Sequence, residues 1–175
     1  MHIKCGKRLL GTKGSISSSC PMCRAPLATT TDETERNIES LQRWSALGKS
    51  WAQTSLGDLY SKGLGVNKDP IRAGKLYKLS ADQGNKTGQG SLAKFYEFGF
   101  GVKKDINEAV RLYKLSAKQG HVSSFVALGQ KYSRGIGVPK SYKKAYLNFI
   151  KAGDNTHALD GIGTLYRLGE ESFKI

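Results

Sequence analysis

The sequence matches itself at an offset of 36 residues. Leu56 maps to Leu92 and Leu128, and Tyr60 to Tyr96 and Tyr132. Gly63, Gly65 and Val66 recur as Gly99, Gly101 and Val102, then as Gly135, Gly137 and Val138. Asp69 recurs as Asp105 and is replaced by Ser141 in the third copy. Ala73 maps to Ala109 and Ala145, and Tyr77 to Tyr113 and Phe149. Residues 50–85 and 86–121 share 18 of 36 aligned positions. A fourth, truncated copy starts near Thr156, with Ile162, Gly163, Tyr166 and Gly169 two residues early. A fixed period of this length means stacked units, each of which buries its apolar face only against its neighbours.

Each copy reads as two helices. Ala52, Leu56, Leu59 and Tyr60 make a helical stripe. Gly63 can end that helix in the left-handed conformation, and Val66 is expected to plug the core beneath the loop. Asp69 can cap the next helix and Pro70 suits its first position, where a missing N–H costs nothing. Asp105 and Glu108 have the capping-box spacing. The second helix carries Ala73, Leu76, Tyr77, Ser80 and Ala81 and stops at Gly84; in the third copy it ends early, at Gly153. Gly57, Ala93, Gly129 and Gly163 share one register position and Ala73, Ala109 and Ala145 another. Small residues there let two helices cross closely, with Tyr60 and Tyr77 filling the space between copies.

Leu56-Gly57-x-x-Tyr60-x-x-Gly63-x-Gly65-Val66-x-x-Asp69, with Ala73, Tyr77, Ser80-Ala81 and Gly84, resembles the Sel-1-like repeat, a relative of the tetratricopeptide repeat. The resemblance covers about 50–169, with Ala93 standing where the family usually has Gly. It implies an all-α fold: a right-handed α-solenoid of paired antiparallel helices. It also implies a non-enzymatic protein–protein interaction adaptor or scaffold. First-helix residues line the concave face in this family, which by register selects Thr54, Asp58, Ser61 and Lys62, then Gly90, Lys94 and Glu97, then Val126, Gln130 and Arg134.

Residues 1–49 differ in kind, being rich in Gly, Ser, Thr and Lys without a lasting apolar period. Cys20-Pro21-Met22-Cys23-Arg24 resembles the last metal knuckle of a RING finger, in which the Pro contacts a ubiquitin-conjugating enzyme and the Arg reaches the ubiquitin-loaded conjugate. By position these would be Pro21 and Arg24. His2-x-x-Cys5 resembles two further ligands, but Arg8 stands where another belongs, and the first three would precede Met1. The finger is then either cut short or decayed. His2, Cys5, Cys20 and Cys23 are nonetheless four ligands, enough for one tetrahedral zinc; the alternative is free, reduced thiols. The segment is expected to be small and irregular over 1–31. Asp32, Glu33 and Glu35 then suit a helix start. Ile38, Leu41, Trp44 and Leu47 place a capping helix over 32–49, with Trp44 and Trp51 as core aromatics. The repeats follow as 50–85, 86–121 and 122–155, with a partial fourth over 156–175.

Composition narrows the function. The chain has 175 residues, 38% of them apolar, and 28 Lys or Arg against 14 Asp or Glu, a formal charge of +14. No apolar run approaches the ~18 residues of a membrane span, and residues 1–20 lack a secretory apolar stretch. Three cysteines build no disulfide framework without a remainder, so an intracellular setting, cytoplasmic or nuclear, is expected. His2, His121 and His157 are scattered, and His121 falls at a turn, where a solvated residue is expected. Gly63-x-Gly65 follows no strand and lacks the phosphate-loop pattern. No nucleophile, base and orienting group come together, so no enzyme is expected. Lys68, Lys104 and Lys140 share a register position in the loop between the two helices. They are expected to form a stripe, widened by Lys103 and Lys143, that either keeps the chain soluble or docks an acidic partner. The leading expectation is therefore a protein partner held by the helices. A ubiquitin-ligase component with a solenoid that recruits substrate is the alternative, and a non-specific polyanion binder a weaker one. No membrane and no specific nucleic acid are expected as partners.

Overall fold

The glycine that closes the first helix of each repeat sets the architecture. Gly63, Gly99 and Gly135 have φ of 73°, 75° and 72°, the left-handed region that costs a side chain least when there is none. Each donates its N–H to the carbonyl four residues earlier, as Gly63 does to Leu59 at 2.8 Å. The chain then turns back through a loop closed by one recurring bond. Asp69 N–H donates to the Tyr60 carbonyl, Asp105 to Tyr96 and Ser141 to Tyr132, at 2.9, 2.9 and 2.8 Å.

The computed structural model describes residues 30–168, among which eight α-helices and no strand occur. These are α1 (Thr30–Ala46), α2 (Ser50–Lys62), α3 (Pro70–Asp82), α4 (Lys86–Phe98), α5 (Ile106–Lys118), α6 (Val122–Arg134), α7 (Tyr142–Lys151) and α8 (Thr156–Leu168). Helices α2 and α3, α4 and α5, and α6 and α7 pack as pairs, and each second helix packs on the next first helix. First helices also touch across repeats, α2 on α4 and α6 on α8. The fold is an all-α solenoid. Among the described residues no helix is long and apolar enough to cross a membrane.

The caps follow the sequence logic. Asp69 and Asp105 accept from the backbone N–H three residues on, at Arg72 and Glu108. The Glu108 side chain, rather than closing a capping box, pairs with Arg111, which holds its carboxyl below the ordinary range. The expected small positions sit at the helix crossings in the three full repeats, but Gly163 does not: it is exposed with open space around it, and Gly161 instead lies against the Phe149 ring. Ala73, Ala93, Ala109 and Ala145 are fully buried, and a Cβ on Gly57 would meet the Tyr77 ring at 2.8 Å. Val66, Val102 and Val138 pack beneath their loops onto the core. Between helices of one pair, buried Gln53 and Gln89 accept from Gln83 and Gln119 at 2.7 and 2.9 Å, the same clamp in two repeats.

The helix expected over 32–49 runs from Thr30 to Ala46. Ile38 is buried and Leu41 packs against the main core cluster. Trp44 and Trp51, expected in the core, are instead 41% and 52% exposed, touching each other with ring centroids 6.4 Å apart. They lie past the buried stripe that Ile38 and Leu41 begin.

Candidate functional site

The tyrosine of the second helix anchors the grooves that follow the first and second repeats. In the first repeat, Tyr77 rises from α3 between α2 and α4 and is 2% exposed. Its hydroxyl donates to Asp58 Oδ1 at 2.6 Å, with Ser61 Oγ 3.4 Å away. Burial, and then the bond to Asp58, raise the hydroxyl well above the ordinary tyrosine value, so it remains a donor. A groove of about 380 Å³ opens above it, lined from α2, α3, α4 and the loops between their pairs.

Four rings run from the floor of this groove to its rim. Phe95 meets Tyr77 edge-on at 4.9 Å, Phe100 meets Phe95 edge-on at 5.9 Å, and Phe98 stacks on Phe100 at 5.4 Å. Phe98 ends α4, and the left-handed Gly99 turns the chain so that Phe100 folds back beside it. The inner two rings are covered, while Phe98 and Phe100 are 53% and 48% exposed. Lys62, Lys68 and Lys94 also line the groove and are exposed. Among the described residues none of the three has an ion-pair partner.

The next groove is built differently at the same register. Lys131 takes the place of Phe95, and Glu97 the place of Ser61. Lys131 is buried, its ammonium bonded to Glu97 Oε1, and Tyr113 donates to Glu97 Oε2 at 2.9 Å. Burial, and the Glu97 charge after it, raise the Tyr113 hydroxyl strongly. This groove holds an internal polar triad where the first is lined by aromatic rings.

Three stretches of the chain, 52–85, 88–121 and 126–157, match the Sel1 repeat. The chain belongs to the Sel1 repeat family. Among curated proteins none matches it. Its fold is similar to a Sel1 repeat protein from Oxalobacter formigenes, with 28% identity and a TM-score of 0.72 over 82% of this chain and 60% of that one. It is also similar to c5321, a protective antigen present in uropathogenic Escherichia coli strains displaying an SLR fold. There the identity is 31% and the TM-score 0.74, over 79% of this chain and 30% of that one. Cysteine rich protein B of Helicobacter pylori shares the fold at 24% identity and a TM-score of 0.57, over 75% of this chain and 96% of that one. The chain thus spans 60% and 30% of the lengths of the first two relatives.

Within the Sel1 repeats, the residues selected for the first-helix face divide into two sets. Lys62, Lys94, Gln130 and Arg134 are exposed, and Asp58 and Ser61 are half-buried in the open groove. Thr54 faces inward instead: it is 5% exposed, its Oγ1 2.7 Å from Ser80 Oγ, because position 54 sits where α2 crosses α3. Gly90 is buried with its Cα facing His121, and Val126 belongs to the second core cluster. Glu97 is engaged internally by Lys131 and Tyr113. The Sel1 loop lysines are exposed, and the Cβ atoms of Lys68, Lys104 and Lys140 pack in the same way on Gly63, Gly99 and Gly135. Lys140 also lies over the Tyr142 ring at 4.8 Å.

His121 is not a solvated turn residue. It precedes α6, its Nδ1 lies 2.9 Å from Ser124 Oγ, and burial, with Lys86 nearby, lowers its pKa. His2, Cys5, Cys20 and Cys23, with Pro21, Arg24 and the zinc expected there, lie outside the described residues. Among the described residues no group of three or more His, Cys, Asp or Glu side chains is placed to hold a metal. The aromatic ladder and the buried Lys131 were not singled out in the sequence. The signal was a change of residue type at aligned positions: Lys62, Phe98, Arg134 and Leu59, Phe95, Lys131 are two of the triplets that differ between repeats.

Proposed function

We propose that this chain is a non-enzymatic scaffold that captures another protein on the first-helix face of its Sel1 repeats. Sel1 repeat proteins are generally protein-interaction scaffolds. The observation that carries the reading is the groove between α2 and α4, where half-exposed Phe100, with Phe98 stacked on it, shares the lining with Lys62, Lys68 and Lys94, which have no ion-pair partner among the described residues. Exposed aromatic rings flanked by polar groups are what an interface hot spot requires. Rigid pairs of helices hold these groups in place before a partner arrives, which lowers the ordering cost of association. Lys104 and Lys140 extend the basic edge along successive loops and would speed the approach of an acidic partner.

The test is affinity capture by the full chain from cell extract, compared with a variant carrying Lys62→Glu, Lys94→Glu, Gln130→Glu and Arg134→Glu. A defined set of proteins should be held by the parent and lost by the variant at unchanged helical circular dichroism. Equal capture by both contradicts the reading.

A further inference from the structure

The two grooves between successive repeats are equivalent by register yet chemically opposite, and the difference says what the open one accepts. At the second, Glu97, Tyr113 and Lys131 satisfy one another. At the first, the corresponding positions are Ser61, Tyr77 and Phe95; Asp58 takes up the Tyr77 hydroxyl, and no ion pair fills the groove among the described residues. Phe95 continues outward to Phe100 and Phe98, leaving two rings half in water. The three lysines around them are exposed and unpaired among the described residues. Asp58 is the one acid lining the groove, and one of its oxygens already accepts from Tyr77.

We infer that this groove binds an extended peptide segment of a partner protein in which an aromatic side chain is flanked by carboxylates. The inference rests on the scaffold reading and names the partner's chemistry. The aromatic side chain would pack against Phe100 and Phe98, and the flanking carboxylates would meet Lys62, Lys68 and Lys94. Asp58 retains acceptor capacity, since a carboxylate offers about four lone-pair sites. It suits the N–H groups of a peptide backbone, which a sugar–phosphate backbone lacks. That distinguishes a peptide from single-stranded nucleic acid, which also uses aromatic rings in basic grooves. One face of Phe100 is moreover already covered by Phe98, which lies within 18° of parallel to it.

The measurement is fluorescence anisotropy of the full chain at 50 mM and 150 mM salt with a labelled peptide Glu-Glu-Asp-Phe-Glu-Glu. Binding should weaken at least tenfold when the peptide's Phe is replaced by Ala. It should weaken equally in the chain carrying Phe98→Ala with Phe100→Ala, and in the chain carrying Lys62→Glu with Lys94→Glu. All of the replaced residues are exposed, so the fold is retained and circular dichroism checks it. Lys114→Glu with Lys118→Glu, exposed on α5 away from the groove, should change affinity less than twofold. The inference is overturned if the aromatic-free peptide binds as well as the parent. It is overturned as well if labelled oligo-uridine binds more tightly and displaces the peptide. A dimer in sedimentation velocity that is lost in the Phe98→Ala, Phe100→Ala chain would show that the groove is filled by a second copy, and would also overturn it. Failure of peptide binding while the capture difference above persists removes this inference and leaves the scaffold; loss of both removes both.

Discussion

Lys131 occupies a position that is Leu59 and Phe95 in the preceding repeats, and it is buried there with its charge. A buried ammonium is tolerable only with a partner, and Glu97 supplies it. Removing one partner therefore strands the other. Lys131→Met should cost about 3 kcal/mol, the lower end of the range for a broken buried pair, because the Glu97 side chain keeps 21% exposure and the Tyr113 bond. Adding Glu97→Ser and changing Lys131 to Phe instead reproduces the apolar arrangement of the first groove and should recover most of the loss. Urea unfolding of the parent, Glu97→Ser, Lys131→Phe and the pair gives the coupling; additive losses would contradict the account. The repeat pattern puts this lysine where Leu59 and Phe95 stand in the earlier copies, an inward position, but does not show what pairs with it. The period places position 131 on the helix, but the mutual choice of Glu97 and Lys131 is a tertiary fact about two side chains 34 residues apart.

Among the helices, α6 begins without a side-chain cap. Asn85, at the matching position before α4, accepts from the N–H groups of Thr87 and Gly88 at 3.0 Å each. His121 instead turns to Ser124 and packs where a side chain on Gly90 would collide. Its pKa lies below the ordinary 6.5, with burial the larger cause. A base with a lowered folded-state pKa leaves the unfolded chain holding more protons. Stability is then full above about pH 6.5 and declines as pH falls from there through the lowered value. His121→Asn should flatten that decline and add up to about 1 kcal/mol by supplying the cap. Denaturant midpoints at pH 7.5 and 5.5 check it, and equal losses in parent and variant would count against it. Helix existence, caps and turning glycines were legible from the 36-residue period, since each is a local property repeated three times. The fate of His121, and of Trp44 and Trp51 outside the core, was not, because both depend on which side of a helix meets its neighbour.

Across the whole molecule, stability is shared between neighbouring repeats, so a central defect reaches both sides. Leu92 is 4% exposed in α4, within the main core cluster, whereas Lys94 two residues on is exposed. Leu92→Ala should lower unfolding free energy by ~2–5 kcal/mol, and Lys94→Ala should be near neutral. Comparable effects in thermal unfolding would mean that the helix faces are misassigned. The first-helix face could be chosen by register, and Lys62, Lys94, Gln130 and Arg134 are exposed on it. The register could not separate exposed from buried members of that face, as Thr54, Gly90 and Val126 show, nor reveal that rings from a helix end and a loop meet at Phe98 and Phe100. The central claim is that this face holds a protein. Photo-crosslinking in cells with p-benzoyl-phenylalanine replacing Phe98, and separately replacing Lys114 on the exposed side of α5, tests it most directly. Discrete protein adducts from position 98 and none from 114 are predicted; no adduct at 98, or the same adducts at both, would contradict it.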